Sequence, residues 1–210
     1  MPENCSTKKV RISLVGKEGR MGQMVCSLAE KDPCVEVSDD GDVVIDFSSP
    51  EGTKKAIAMG KPLVCGTTGL SEEIIQQLHT LSEKVPVLYS PNFSLGMDLC
   101  FQMVEFLNKK LGCAAKIAIE ETHHTQKVDS PSGTAKRMAE LLGVENVTVR
   151  RENDVVGIHQ VDFLLSSEKI SLRHVALSRA AFAEGAITAA KFIYNKPPKF
   201  YSLRDIFVCK

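Results

Sequence analysis

Residues 10–29 read VRISLVGKEGRMGQMVCSLA. Val10, Ile12, Leu14 and Val15 make the first six residues an apolar-rich run, which predicts a short buried strand. Gly16 halts it, and beyond Gly22 the residues Met24, Val25, Leu28 and Ala29 recur at helical spacing. A strand, a glycine turn and a helix in that order open a dinucleotide-binding unit. The glycines would let backbone approach a pyrophosphate, and the free amides at the helix start, with the positive end of the helix dipole, would bind it. Gly16, Lys17, Glu18, Gly19, Arg20 and Met21 are therefore candidate cofactor contacts. The spacing is G-x-x-G-x-x-G rather than G-x-G-x-x-G, so the position of the turn carries more weight than its pattern. The alternative is a tight strand-to-helix turn that holds no ligand.

Working outward, strands and helices alternate. Val35–Val37 is a short strand, and the β-branched run DVVIDF over 42–47 is a clearer one. A helix follows Pro50 through Ala56, Ile57 and Met59. Pro62–Cys65 is a strand halted by Gly66-Thr67-Thr68-Gly69, and a helix from Ser71 puts Ile74, Ile75, Leu78 and Leu81 on one face. Val85–Tyr89 is the next strand. This alternation predicts a Rossmann-like, doubly wound parallel sheet. Ligands of such sheets bind outside the carboxyl ends of the strands, so Gly66, Thr67 and Thr68, and Ser90, Pro91, Asn92 and Phe93, would converge with the glycine loop. An acid about 20 residues past the glycines would meet the adenosine ribose. Asp39 and Asp40 are the candidates, but only Gly41 separates them from the next strand, and a solvated acidic turn is the alternative.

Beyond Ser94 the pattern changes. A long amphipathic helix spans 95–111, a strand 116–120, a polar loop follows, and a helix covers 134–142. From Val147 onward Val155–Val156, Val161–Leu165 and Ile170–Leu177 read as strands of a mixed or antiparallel sheet. A last helix at 182–194 would pack back on the first domain. The α/β chain is thus expected as a dinucleotide-binding domain of residues 1–93 and 179–210, with an inserted α+β domain of 94–178 for substrate and oligomerisation.

The polar stretch is ETHHTQKVDSPSGT, residues 121–134. His123 and Lys127 stand four apart, sharing a face if the segment is helical and free to converge in a loop. Histidine titrates near neutral pH and suits a general acid, while lysine stabilises negative charge or donates a proton once its pKa is lowered. Ser132-Gly133-Thr134 opens a helix whose amides and hydroxyls offer a carboxylate site. An anionic substrate beside an acid is the expectation. Two competitors are a zinc site from Glu120, Glu121, His123 and His124, which lacks a ligand-spacing pattern, and a solvated loop. No metal is expected.

Composition narrows the class. The 26 Lys and Arg balance 26 Asp and Glu with no charge block, which speaks against a nucleic-acid partner. No apolar run approaches the roughly 18 residues of a membrane span, and no cleavage site follows the N-terminus. Seven cysteines, Cys5, Cys26, Cys34, Cys65, Cys100, Cys113 and Cys209, read as reduced core thiols of a cytoplasmic protein.

GKEGRMG, DVVIDFSSPEGT, VCGTTGL, SPNFSLGMDL, EETHHTQKVDSPSGTA and HVALSRAAFAEGA occur in this order across most of the chain. Together they closely resemble the dihydrodipicolinate reductase family of the diaminopimelate route to lysine. The resemblance implies hydride transfer from NADH or NADPH to an unsaturated cyclic dicarboxylate, giving tetrahydrodipicolinate, in a cytoplasmic homotetramer. It implies that His123 protonates the carbon beside the one receiving hydride, that Lys127 is the second catalytic donor, and that His124, Gly133 and Thr134 hold the substrate carboxylates. Gly16 to Met21, Gly66 to Thr68 and Ser90 to Phe93 would line the cofactor, with Arg179 near the crevice. Departures are a shortened stretch after the second strand, another between Gly143 and Val155, and Pro91 in place of a small residue. Asp39 or Asp40 would disfavour a ribose phosphate, whereas Lys17 and Arg20 would welcome one, so use of both cofactors is expected. A nucleotide sensor without chemistry would have no reason to keep His123, Lys127 and the Ser-Gly-Thr turn. Another small dehydrogenase would not explain the HHTQK and SPSGTA block.

Overall fold

A computed structural model describes residues 9–207. Among them run β1 (Val10–Val15), α1 (Arg20–Ala29), β2 (Val35–Val37), β3 (Val43–Asp46), α2 (Pro50–Ala58), β4 (Leu63–Cys65), α3 (Glu72–Ser82), β5 (Pro86–Tyr89), α4 (Leu95–Leu111), β6 (Lys116–His123), α5 (Gly133–Leu142), β7 (Val147–Arg151), β8 (Gly157–Leu164), β9 (Lys169–Ala176), α6 (Ala180–Ile193) and β10 (Lys199–Tyr201). The described residues form two compact units, one of residues 9–94 with 180–207 and one of 95–179.

In the first unit six strands make one parallel sheet ordered β2-β1-β3-β4-β5-β10. β3 and β4 are wholly buried, as expected of continuous apolar strands covered on both faces. Ser49 caps α2 ahead of Pro50, and Ser71 caps α3 with Glu72 and Glu73 in its first turn. α6 carries Ala183, Gly185, Ala186, Ile187, Ala189, Ala190 and Ile193 as buried residues, and packs on α1 and on the strands β1, β3, β4 and β5. β10, a strand of three residues directly after a double proline, has no sequence signal of its own and was not expected.

The link between β2 and β3 is unusually short for parallel strands, which ordinarily need a crossover of about a dozen residues or more. Register explains it. β2 pairs only with Val10–Ile12 of β1, and β3 pairs only with Ile12–Val15 on the other side. The chain therefore has no strand length to retrace, and it passes directly across β1. Ser38 N–H donates to the Ile12 carbonyl and Asp42 N–H to that of Arg11. Between them Gly41 is buried so close that a Cβ would lie 2.5 Å from the Ile12 carbonyl carbon and nearer still to Ser13 N. Only glycine fits this crossing. The Arg11 guanidinium grips Asp42 at 2.7 Å, and Lys61 binds Asp40 and the Gly41 carbonyl, fastening both ends.

The second unit has a mixed sheet ordered β7-β6-β8-β9, with β6 and β7 parallel through α5 and the other pairs antiparallel. Met97, Phe101 and Val104 of α4 and Met138 and Leu142 of α5 cover its inner face against Ile119, Val161 and Phe163. Two expectations change. β6 runs on to His123, so Glu121, Thr122 and His123 belong to a strand and not to the polar loop; β8 begins at Gly157, and Val155–Val156 is not a strand. Ladder partners on β7 and β8 override the local polarity of Glu121 to His123.

No helix among the described residues is long and apolar enough to cross a membrane. The expectation of seven free core thiols is corrected. Cys26, Cys65, Cys100 and Cys113 are free, but only Cys65 is buried and Cys113 is exposed. Cys34, in the turn between α1 and β2, is disulfide-bonded. Cys5 and Cys209 lie outside the described residues.

Candidate active site and nucleotide edge

At the carboxyl edge of the parallel sheet, four loops follow four adjacent strands. Gly16 leaves β1 with φ +84°, and a Cβ there would meet the Phe47 carbonyl oxygen at 2.5 Å. Gly19 caps α1 without a side-chain bond, and no acid occupies the first turn, so the helix start remains open to an anion. Lys17, Glu18, Gly19 and Arg20 are exposed and Met21 half-buried. Next along the edge, Ser48 N–H donates to Thr67 Oγ1 at 3.0 Å, and the Phe47 ring fills the space beside Gly66 and meets Phe93 edge to face at 5.6 Å. Ser90 Oγ donates to the Asn92 carbonyl at 2.6 Å, while Asn92 Oδ1 accepts from Ser94 N–H at 2.8 Å, which sets the course of the loop after β5. Thr68 and Pro91 are exposed.

Sequence reasoning missed two residues of this edge. Phe47 is one. The other is Asp46, fully buried at the end of β3, which accepts from Ser48 Oγ and from Thr53 Oγ1 at 2.6 Å and so ties the edge to α2. An acid closing an apolar strand run was the available signal. Cys65 beside it is pushed up to about 12 by burial, with the Asp46 charge adding, and stays a thiol.

Asp39 and Asp40, the acids expected at the ribose, lie in the short link between β2 and β3, and Asp39 is exposed. β2 stops level with Ile12, and the chain then crosses β1. Asp39 sits on that crossing, and Asp40 is bound by Lys61.

In the second unit the antiparallel register sets Glu121 of β6 opposite His159 of β8, and His123 shares the Glu121 face by the two-residue period of a strand. All three are buried. Glu121 Oε1 accepts from Ser132 N–H at 3.0 Å and faces Arg151 at 3.5 Å. Its Oε2 faces His123 Nδ1 at 3.4 Å and His159 Nε2 at 3.7 Å. Ser132 is the N-cap of α5, accepting from Ala135 N–H, and its Oγ meets His159 Nε2 at 3.2 Å. One carboxylate thus lies between His123 and the Ser-Gly-Thr turn.

The charges follow from these contacts. Burial alone would raise the Glu121 pKa, but the Ser132 hydrogen bonds and the two imidazoles outweigh it and hold the carboxyl below its usual range. Burial lowers His123, Glu121 opposes that fall, and Lys127, Arg151 and His124 deepen it. His159 is pushed down to about 4 by burial and by His123, so it is neutral near pH 7.

Lys127 is partly exposed, with Nζ 3.7 Å from Asp129 Oδ2. Gly133 and Thr134 form the first turn of α5, and the His124 carbonyl accepts from Lys127 N–H. Arg179 is exposed and is the last residue of the second unit. Of the four residues considered as zinc ligands, Glu121 and His123 come together, joined by His159 with donor atoms within 4.8 Å. Glu120 instead pairs with Arg150 at 3.0 Å. The Arg151 guanidinium already supplies a positive charge to Glu121, which disfavours a second cation there. His159 was missed in the sequence; a histidine at a buried position of an alternating strand was the signal.

Residues 96–207 match the family described as "Dihydrodipicolinate reductase, C-terminus", and residues 31–93 match "Dihydrodipicolinate reductase, N-terminus". A 4-hydroxy-tetrahydrodipicolinate reductase of Alkaliphilus oremlandii is 34% identical, over 92% of this chain and 96% of the relative. One of Bdellovibrio bacteriovorus is 35% identical over 97% and 98%. Both alignments run over 232 positions, more than the 210 residues of this chain, so the relatives carry residues that it lacks. Among solved structures, a dipicolinate-bound dihydrodipicolinate reductase from Paenisporosarcina sp. TG-14 shares the fold, with TM-score 0.77 at 21% identity over 92% of this chain and 97% of that one.

Proposed function

We propose, from the premise that this chain belongs to the dihydrodipicolinate reductase family, that it reduces hydroxytetrahydrodipicolinate to tetrahydrodipicolinate on the lysine and diaminopimelate route. The observation that carries this reading is the buried carboxylate of Glu121, which lies between His123 and the Ser132 N-cap of α5. Such an arrangement suits a dianionic substrate whose carboxylate is bound beside the group that protonates it.

The first unit is the nucleotide domain in this reading. Gly16 to Met21 and the α1 amides would hold the pyrophosphate, while Gly66 to Thr68 and Ser90 to Phe93 would orient the nicotinamide end, with Arg179 nearby. The bound nicotinamide supplies the hydride. The second unit supplies the rest: His124, Gly133 and Thr134 hold carboxylates, Lys127 offsets their charge and donates a second proton, and His123 as imidazolium protonates the carbon next to the one reduced. NADH and NADPH would both serve, and Lys17 and Arg20 could meet a ribose phosphate.

We further propose a cytoplasmic homotetramer. Leu99, Met103 and Phe106 form an exposed row on α4, and the edge strand β9 exposes Ile170 and Val175; rows of this kind mark interfaces. The test of function is the loss of NADH or NADPH absorbance when freshly made product of dihydrodipicolinate synthase is added. Rapid oxidation is expected with both. A protein that binds nucleotide but oxidises neither would overturn the reaction.

A further inference from the structure

Glu121 is fully buried on a strand, in a site meant to receive an anion. A carboxylate there repels the substrate unless it does something the substrate needs. We infer that Glu121 is the positioning residue of the acid: it faces Nδ1 of His123 and favours a proton on that nitrogen, so that Nε2 alone donates to substrate. This rests on the reductase reading for what the proton is used for, but not for where the proton sits.

The two nitrogens of His123 have opposite surroundings. Nδ1 faces Glu121 Oε2 at 3.4 Å. Nε2 faces Gly157, where a Cβ would come within 3.1 Å of it; the missing side chain keeps that side clear. Arg151 and the Ser132 amide engage the other carboxylate oxygen, which leaves Oε2 to the imidazoles. His159 does not compete as a cation. Its Nε2 faces two acceptors, Ser132 Oγ at 3.2 Å and Glu121 Oε2 at 3.7 Å, which fits a neutral ring carrying its proton on Nε2. The groups that act on the His123 charge are thus Glu121, which favours it, and Lys127, Arg151, His124 and any charge on His159, which oppose it.

In the reaction the Nε2–H bond of the imidazolium breaks and a C–H bond forms on the substrate carbon, whose electron pair comes from its double bond as hydride arrives on the neighbouring carbon. His123 is left neutral with its remaining proton on Nδ1, toward Glu121. Removing the Glu121 charge lowers the His123 pKa further. At a pH above that pKa, each further drop of one in the pKa leaves about a tenth as much imidazolium.

The test is imidazole proton–nitrogen correlation spectroscopy of the intact protein, with the His123 signal identified by its loss in His123→Gln. In the parent, neutral His123 is expected to carry its proton on Nδ1. Glu121→Gln should lower its pKa by about one or more, with Glu121→Asp in between. In parallel, the high-pH fall of kcat should move to lower pH by the same amount, while the substrate KM stays within about threefold. A purely structural role would reduce kcat without moving that limb. A neutral His123 protonated on Nε2 would sink the inference even if Glu121→Gln fails to fold, and so would a variant that titrates like the parent. If the spectra come out as expected but the parent oxidises neither cofactor, the reductase reading fails and the role of Glu121 stands.

Discussion

The nucleotide edge and the acid cluster are built from different materials. Along the edge the decisive atoms belong to the backbone: the open amides of α1, the Phe47 carbonyl against Gly16, and the turn after β5 held by Asn92. In the cluster they are side-chain atoms of β6, β7 and β8, joined by the Ser132 amide at the start of α5, around one carboxylate. A site made of backbone tolerates changes of charge but not an added Cβ, whereas a cluster of buried charges fails when one member is neutralised.

The largest effect that sharpens this contrast belongs to the cluster. His123→Gln should lower kcat by about 100-fold to 10,000-fold, the usual worth of a general acid, with little change in substrate KM or in nucleotide affinity. A variant that turns over near the parental rate would mean the cluster is structural and the acid lies elsewhere. The matching change at the edge is Gly16→Ala. It places a Cβ where φ is +84° and the Phe47 oxygen is 2.5 Å away, a strain of about 1–3 kcal/mol. Titration of nucleotide fluorescence should show NADH binding weakened about tenfold, while the His123 imidazole titrates as before. Unchanged affinity would show that the edge is not built around this glycine.

The same contrast governs how much the chain reveals before it is folded. The edge was legible because backbone sites leave local traces: a glycine spacing after a strand, Gly66 to Gly69 after the next, Asn92 beside a turn. The cluster was only half legible. ETHH and SPSGT announce polar chemistry, but they do not show that Glu121 to His123 extend a strand, because the partners that make them one lie on β7 and β8, distant in the sequence. His159 and Arg151 enter by the same long-range pairing. The short link after β2 was visible as a compressed stretch, yet how so short a link can join parallel strands depends on register: with β2 and β3 on opposite halves of β1, five residues suffice.

That crossing carries the smallest expected effect. If recognition at the edge rests on backbone and pyrophosphate, an exposed carboxylate on the crossing has nothing to contribute to it. Asp39→Asn should then leave the dissociation constants of NADH and NADPH within about twofold of the parent, the range of an ordinary surface substitution. A ribose contact makes a different demand. An acid bonded to the 2′-hydroxyl favours NADH and repels the extra phosphate of NADPH, so its loss would weaken NADH and strengthen NADPH together. Opposite shifts of that kind would show that the loop reaches the edge and would place the ribose contact at Asp39. Parallel, negligible shifts would mean that shortening this link, with Gly41 pressed against β1, removed a recognition element of the nucleotide while leaving its pyrophosphate cradle intact.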